Sequence, residues 1–281
     1  MSRLRIRHET GFRYEGEAAS SYNEARMLPQ SSDGQLVLAS ALDIAPVSGV
    51  HDYLDYWGTR VSSFEVLTPH RELVLTATSL VEVRPRAHPE HRLEWTALAD
   101  AADRSSELVE QLGQTARTSP PDEVRELAAG ILRDAATPCE AALAIARAIG
   151  ERIEYVPGST TVTTTAAEAW AHRKGVCQDI AHLALGALRS AGIPARYVSG
   201  YLHPVPDAEI GQAVAGESHA WVEWYCGSWR GFDPTNLIDI GERHVTVGRG
   251  RDYADVPPLR GVYAGPTSSQ LFVRVEITRE A

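Results

Sequence analysis

The sequence predicts an α+β protein: a β-rich N-terminal domain over residues 1–100, then a core over residues 101–281 in which helices pack on an antiparallel sheet. Three observations carry this. Apolar residues recur with a period of two through most of the first hundred residues, the period becomes 3.6 after about Pro89, and alternating runs return after Gly192 and Pro194. With 281 residues, 43% of them hydrophobic and 23% charged, the chain can fill one or two cores, which argues against disorder over its bulk.

In the first part, Leu4 and Ile6 alternate with arginines in RLRIRHE, and QLVLASALDIAP, from Gln35 to Pro46, is rich in apolar residues. Two alternating runs in YLDYWGTRVSSFEVL flank a Trp57-Gly58 turn and read as a hairpin. LVLTATSLVEV, from Leu73 to Val83, is a further strand, closed by Pro85. About five antiparallel strands are expected here and no catalytic cluster; His8, His51 and His70 read as packing or surface residues.

Helices follow near residues 105–115 and 121–135, and another starts at Thr137-Pro138, with Thr137 as N-cap and Pro138 in the first helical position. Ala142, Ile145, Ala146 and Ile149 give that helix one buried stripe, and Cys139 at its start reads as a small structural residue. VPGSTTVTTTAAEAW is a loop leading into a short helix, and residues 176–191 form a longer one, stopped by Gly192 and Pro194. ARYVSGYL, HAWVEWYC, SWRGFD and LFVRVEIT complete the chain as strands.

Charge and cysteines exclude several functions. Lys and Arg number 27 against 37 Asp and Glu, a net charge of −10, with no basic cluster that would hold nucleic acid. No run approaches the eighteen or so apolar residues of a membrane span, and the N-terminus lacks a signal-peptide pattern, so a cytoplasmic location is expected. Three scattered cysteines with no CxxC pair read as free thiols. Cys177 and His182 are five apart on a helix and Cys226 is an odd seven from His219, so no metal site is expected.

Cys177, in RKGVCQDIAHLALGALRSAG, stands where a helix begins, with Ile180, Leu183, Ala184, Ala187 and Leu188 as its apolar stripe. A thiol in the first helical turn faces unsatisfied backbone N–H groups and the positive end of the helix dipole, which favours the thiolate; Arg173 and Lys174 add to this. The competing reading is a buried cysteine in a core helix. His219 opens one strand and Asp233 ends the next. A three-residue loop Tyr225-Cys226-Gly227 places the two directly opposite one another, on one face, with Cβ atoms about 5 Å apart. Cys177 would then attack an acyl carbon, His219 would relay the proton, and Asp233 would orient the imidazole. The backbone N–H of Cys177 is the first oxyanion donor. Tyr155 and Gln178 are candidates for the second, although Tyr155 is also explained as a core aromatic.

At these residues the sequence resembles the transglutaminase-like superfamily, within the papain-like cysteine enzymes. GVCQDIAHLALGALRSAGIPARYVSGYL, ESHAWVEWY and WRGFDPTN carry Cys, His and Asp in the family's order. EAWAHRKG and GRGRDYADVPPLRGVYAG are similar to its bacterial branch, in which a β-rich domain precedes the core. The resemblance implies a papain-like/transglutaminase-like core and a catalytic triad of Cys177, His219 and Asp233, in a cysteine peptidase or amidase that acts on a peptide or protein amide through a thioester. The alternatives are acyl transfer to an amine, as in a transglutaminase, and a non-catalytic module binding a peptide in the same cleft. No cofactor is implied: eukaryotic cross-linkers of the superfamily use calcium, and no EF-hand-type acidic loop is present here. Asp179 is expected to brace the loop before the helix, Trp221 to shield the His–Asp pair, line the cleft or equally pack in the core, and His182 to pack. Arg251, Asp252 and Asp255 sit in a Gly/Pro-rich loop, where charged residues are usually solvated; the family resemblance implies a role at the site's rim as the alternative. The oligomeric state is left open.

Overall fold

The computed structural model describes residues 1–84, 93–265 and 268–281. Pro85 and Pro89, the expected end of the β-rich part, lie outside the described residues. Three antiparallel sheets are built. The first runs, in spatial order, Ala213–Gly216, Ser269–Arg279, Ser2–Ala18, His70–Val83, Gln35–Ala45. The second runs Ile238–Asp239, Trp229–Asp233, Ser218–Tyr225, Ala195–Leu202, His244–Gly250. The third runs Leu259–Ala264, Ser20–Ala25, Arg60–Val66, Gly49–Leu54. The family fold expected from the motifs is thus present: a β-rich N-terminal part and a helical layer on an antiparallel sheet.

Alternation explains how the sheets stack. Leu4 and Ile6 turn inward and, with Val275, Ile277, Tyr201 and Val245, form a core joining the first sheet to the second. Tyr14, Met27, Phe64, Val66, Leu73 and Leu75 form another, between the first sheet and the third. The expected hairpin is present, with Gly58 at φ +75° in its turn, a conformation a glycine adopts without cost. The division near residue 100 separates stretches of sequence but not sheets. Ala213–Gly216 and Ser269–Arg279 join the first sheet and Leu259–Ala264 joins the third, so the end of the chain closes the domain that its start opens.

The largest core lies between the second sheet and the helices. Pro138–Gly150 starts as expected, Thr137 Oγ1 accepting the Glu140 N–H. A capping box of Thr165 and Glu168 opens Ala166–His172. A helix at Trp95–Asp103 was not foreseen, and the segment expected at 105–115 is helical only over Ser106–Glu110. Cys177–Ser190 is buried all round rather than along one stripe, from Gln178 to Arg189. The Arg189 guanidinium is satisfied inside the protein by the carbonyls of Gln111, Ala195 and Arg251. Gly186 lets this helix touch the 118–120 segment, because a Cβ there would stand 2.1 Å from the Thr118 carbonyl oxygen.

The expectation of three free thiols is corrected. Cys139 and Cys226 are joined as a disulfide with Cα atoms 5.5 Å apart, tying the start of Pro138–Gly150 to the hairpin loop that follows Tyr225; Cys177 alone is free. Separation along the chain, 87 residues, hid the pair. Mass spectrometry after alkylation of the unfolded, unreduced protein should therefore find one modified cysteine, and three after reduction. Three labels without reductant would contradict the pairing.

Candidate active site

Cys177 opens its helix after an N-cap at Val176 whose φ and ψ are extended. The cap is made by Asp179: its Oδ2 accepts the Val176 N–H at 2.8 Å and the Thr160 hydroxyl at 2.6 Å. Gly175 is required beside it, because a Cβ there would come within 2.8 Å of the Asp179 Cβ. Asp179 is wholly buried, and burial raises its carboxyl above the usual range while the two hydrogen bonds oppose that rise. It braces the loop and does not reach the cleft. Hydrogen bonding within the helix starts with the Asp179 and Ile180 N–H groups, which both donate to the Val176 carbonyl. The N–H groups of Cys177 and Gln178 have no acceptor within the helix. Arg173 does not assist the thiol. Its guanidinium stacks 3.6 Å from the Trp170 ring centroid and pairs with Glu123.

Asp233 ends its strand beneath His219. His219 Nε2 lies 2.7 Å from Asp233 Oδ2, and the ring lines one cleft with Cys177, whose proximity helps to raise the ring's pKa. The Cys177, His219 and Asp233 side chains are thus brought together, by a register that differs from the expected one. Tyr225 faces Trp229 and Val222 faces Phe232, so the turn is centred on Gly227, which has φ +98°, and the loop is Cys226-Gly227-Ser228. The one-residue move of the centre changes the register by two and keeps the parity. His219 and Asp233 share a face but meet diagonally instead of directly across.

Asp233 is saturated with donors. Oδ1 accepts the N–H groups of Thr235 and Asn236, and Oδ2 also accepts the Asn236 side-chain amide at 2.7 Å. A second histidine, His244, places Nε2 at 3.5 Å from the same Oδ2, while its Nδ1 accepts the Gly241 N–H at 3.2 Å, which fixes the proton on Nε2. Burial opposes the charge on Asp233, but His219, His244 and Asn236 hold its carboxyl well below the usual carboxylate range. Burial likewise lowers His219, and the Asp233 hydrogen bond and Cys177 more than reverse this, raising it to about 10. His244 moves the other way: burial keeps it neutral. The site therefore holds one imidazolium and one neutral imidazole on one carboxylate.

The remaining candidates divide. Tyr155 is tied beside Cys177 by a short parallel pairing of Glu154–Tyr155 with Lys174–Gly175, and it is 41% exposed at the cleft rather than in the core. Its hydroxyl donates to Glu217 at 3.0 Å, and burial, the nearby Cys177 and Glu217 raise its pKa. Gln178 lines the cleft and is 7% exposed, yet its side-chain amide nitrogen has no hydrogen-bond acceptor. Trp221 is fully buried, with ring centroids 6.2 Å from His219 and 5.3 Å from His244, so it seals the His–Asp pair from beneath and is no part of the cleft lining. Asp252 also lies off the cleft. It caps a short turn by accepting the Ala254 N–H, while His182 Nε2 accepts the Tyr253 N–H; together they fix Tyr253, which does form a wall. Arg251 and Asp255 pair with each other. Asn236, His244, Glu217 and Tyr253 were not identified from the sequence. Asn236, in the PTN turn directly after Asp233, and Glu217 and Tyr253, inside the family-like stretches, had a signal, and His244 had none.

The comparisons with known proteins agree with this architecture. Residues 125–234 match the model of the transglutaminase-like superfamily core, and residues 4–82 match the bacterial transglutaminase-like N-terminal region. "Uncharacterized protein ML0607" of Mycobacterium leprae is 43% identical over 284 residues, covering all of both chains. "Uncharacterized protein Rv2569c" of Mycobacterium tuberculosis is 36% identical over 293 residues, covering 98% of this chain and 92% of that one. Among solved structures, a "Putative Cysteine Protease" from Cytophaga hutchinsonii superposes with a TM-score of 0.78 at 21% identity, covering all of this chain and 91% of that one, which shows a shared fold. The chain belongs to the transglutaminase-like superfamily and carries the bacterial N-terminal region of that family.

Proposed function

We propose that this protein hydrolyses a peptide or protein amide through a thioester on Cys177. The observation that carries the reading is the placement of His219, with Nε2 on Asp233 at 2.7 Å, in one cleft with Cys177 at a helix start. In this mechanism the Cys177 sulfur attacks the amide carbon, and the developing oxyanion is met by the Cys177 N–H and by the Gln178 side-chain amide, buried without an acceptor beside the cleft, which turns toward it as substrate enters. His219 gives its proton to the departing amine. It then takes one from the incoming water as the thioester is hydrolysed, and the carboxylate leaves. Asp233 keeps the ring in the orientation both transfers need. Tyr155 is not the second donor, because its proton is directed to Glu217.

Water is the favoured acceptor over an amine. The cleft of about 550 Å³ opens to solvent instead of closing into a dry tunnel around Cys177. The net charge of −10 disfavours nucleic acid as a partner. The test is turnover of a fluorogenic peptide-amide library, followed by acid quenching and mass spectrometry of the Cys177 peptide. The expected result is release of a carboxylic acid product, a trapped acyl-Cys177, and no turnover by Cys177→Ala. Gln178→Ala should lower kcat about 100-fold with little change in KM, the loss of one oxyanion donor. Preferential formation of an amide when a primary amine is added at low concentration would favour acyl transfer. A library left untouched, with Cys177 no more reactive than a free thiol, would favour a binding module.

A further inference from the structure

The Ser269–Arg279 strand is paired with Ser2–Ala18 on one side, from Tyr14 facing Ser269 to Leu4 facing Arg279. On its other side the Ala213–Gly216 strand faces only Val275 to Thr278. After Gly216 the chain leaves this sheet, passes through Glu217, and enters the second sheet at Ser218, opposite Tyr201. Among the described residues no strand lies on that side of Ser269 to Arg274. Alternate backbone N–H and C=O groups of a strand point to each side, so this stretch presents an open edge to pair with.

Its side chains are distributed in the same way. Val275 and Ile277 are buried in the core between the sheets, whereas Leu271 and Val273, on the same face of the same strand, are 53% and 52% exposed. The apolar stripe thus continues two positions beyond the point where the covering strand stops. The exposed end lies beside the nucleophile, because Val273, Arg274 and Val275 line one cleft with Cys177, Gln178 and His219.

We propose that the acyl donor is an extended polypeptide segment that adds to this edge as a strand, continuing the line of Ala213–Gly216. This deepens the reading of Cys177 as a nucleophile and rests on it. Main-chain hydrogen bonds to the six residues Ser269 to Arg274, about 20 Å of strand, supply affinity. Alternate apolar side chains of the donor rest on Leu271 and Val273, and one donor carbonyl reaches Cys177. The substrate class is then an unfolded or extended polypeptide with apolar residues at every second position, not a small amide.

The test compares two chloromethyl ketones, acetyl-alanyl and an acetylated hexapeptidyl with valine at alternate positions, whose chloride the Cys177 thiolate displaces to form a thioether. The hexapeptidyl reagent should alkylate Cys177 at least 100-fold faster. N-methylation of every second backbone amide should remove tenfold or more of that gain, and N-methylation of the intervening amides much less. Hydrogen exchange of the 269–274 amides should slow in the hexapeptidyl adduct and not in the acetyl-alanyl adduct. Equal rates for the two reagents, an N-methyl effect without alternation, or no added protection would overturn strand addition while leaving the nucleophile intact. A Cys177 inert to both reagents would remove the nucleophile reading and this inference with it.

Discussion

If the proposed mechanism holds, Asp233→Asn should lower kcat by about ten-thousand-fold, the loss seen when a triad carboxylate becomes an amide. Every group facing Asp233 is a donor: the N–H groups of Thr235 and Asn236 on Oδ1, and His219, His244 and the Asn236 amide on Oδ2. An asparagine must aim its NH2 at one of these two sets, and neither offers an acceptor. If the amide oxygen replaces Oδ1, the NH2 opposes His219 Nε2 and His244 Nε2. His219 then loses the charge that keeps it an imidazolium, and its proton is redistributed to the wrong nitrogen. The fold is retained, so the loss falls on kcat rather than KM. Steady-state kinetics of the variant check this; less than a tenfold drop would mean that His219 does not need Asp233.

Gly200→Ala disturbs the same site from the opposite strand. Gly200 faces His219 in the second sheet. An added Cβ would stand 2.1 Å from the Val245 carbonyl oxygen and 2.6 Å from Trp221 Cη2. The first contact is with backbone, so no rotamer relieves it, and Trp221 supports the rings of both His219 and His244. Overpacking of this kind costs about 3 kcal/mol, the upper part of the usual range, and lowers Tm by about 10 °C at the 2–4 °C per kcal/mol of a chain this size. Turnover measured well below that Tm should fall more than tenfold, because Trp221 must shift. A scanning calorimetry Tm within about 2 °C of wild type would show that the strands part more easily than the packing implies.

How much the sequence made legible follows from how local each signal was. The Thr137-Pro138 helix start, the Gly58 turn and the helix beginning at Cys177 depend on a few consecutive residues, and all are present. Parity along Ser218–Tyr225 placed His219 and Asp233 on one face, but the two-residue offset in register was beyond it. Parity is a property of the strands; register depends on where the loop closes, here at a Gly227 next to a cysteine bonded to Cys139. The pairings of residue 4 with 279 and of Cys139 with Cys226 join distant stretches with no local pattern. His244 was hidden for the same reason. It reaches Asp233 from the far edge strand of the sheet, and an isolated histidine in HVTVGRG announces nothing. Trp221 and Asp252 carried motif signals but lie behind the cleft wall, one sealing the histidines and the other shaping a turn.

Titration of His219, followed by NMR of the labelled imidazole, reads out whether it is an imidazolium held between Asp233 and Cys177. The pKa is raised to about 10 in the folded protein from the ordinary 6.5. The stability this contributes is fully present below pH 6.5 and is lost as the pH climbs through 10. Asp233, lowered from 3.8, contributes stability that is present above that value and lost as the pH falls through its depressed pKa. The pair is therefore worth most between about pH 4 and 6.5, and there Asp233→Asn should destabilise the protein most. His219 should stay protonated well above pH 8 in the wild type and titrate markedly lower in Asp233→Asn. A His219 that titrates near 6.5, unmoved by Asp233→Asn, would contradict this.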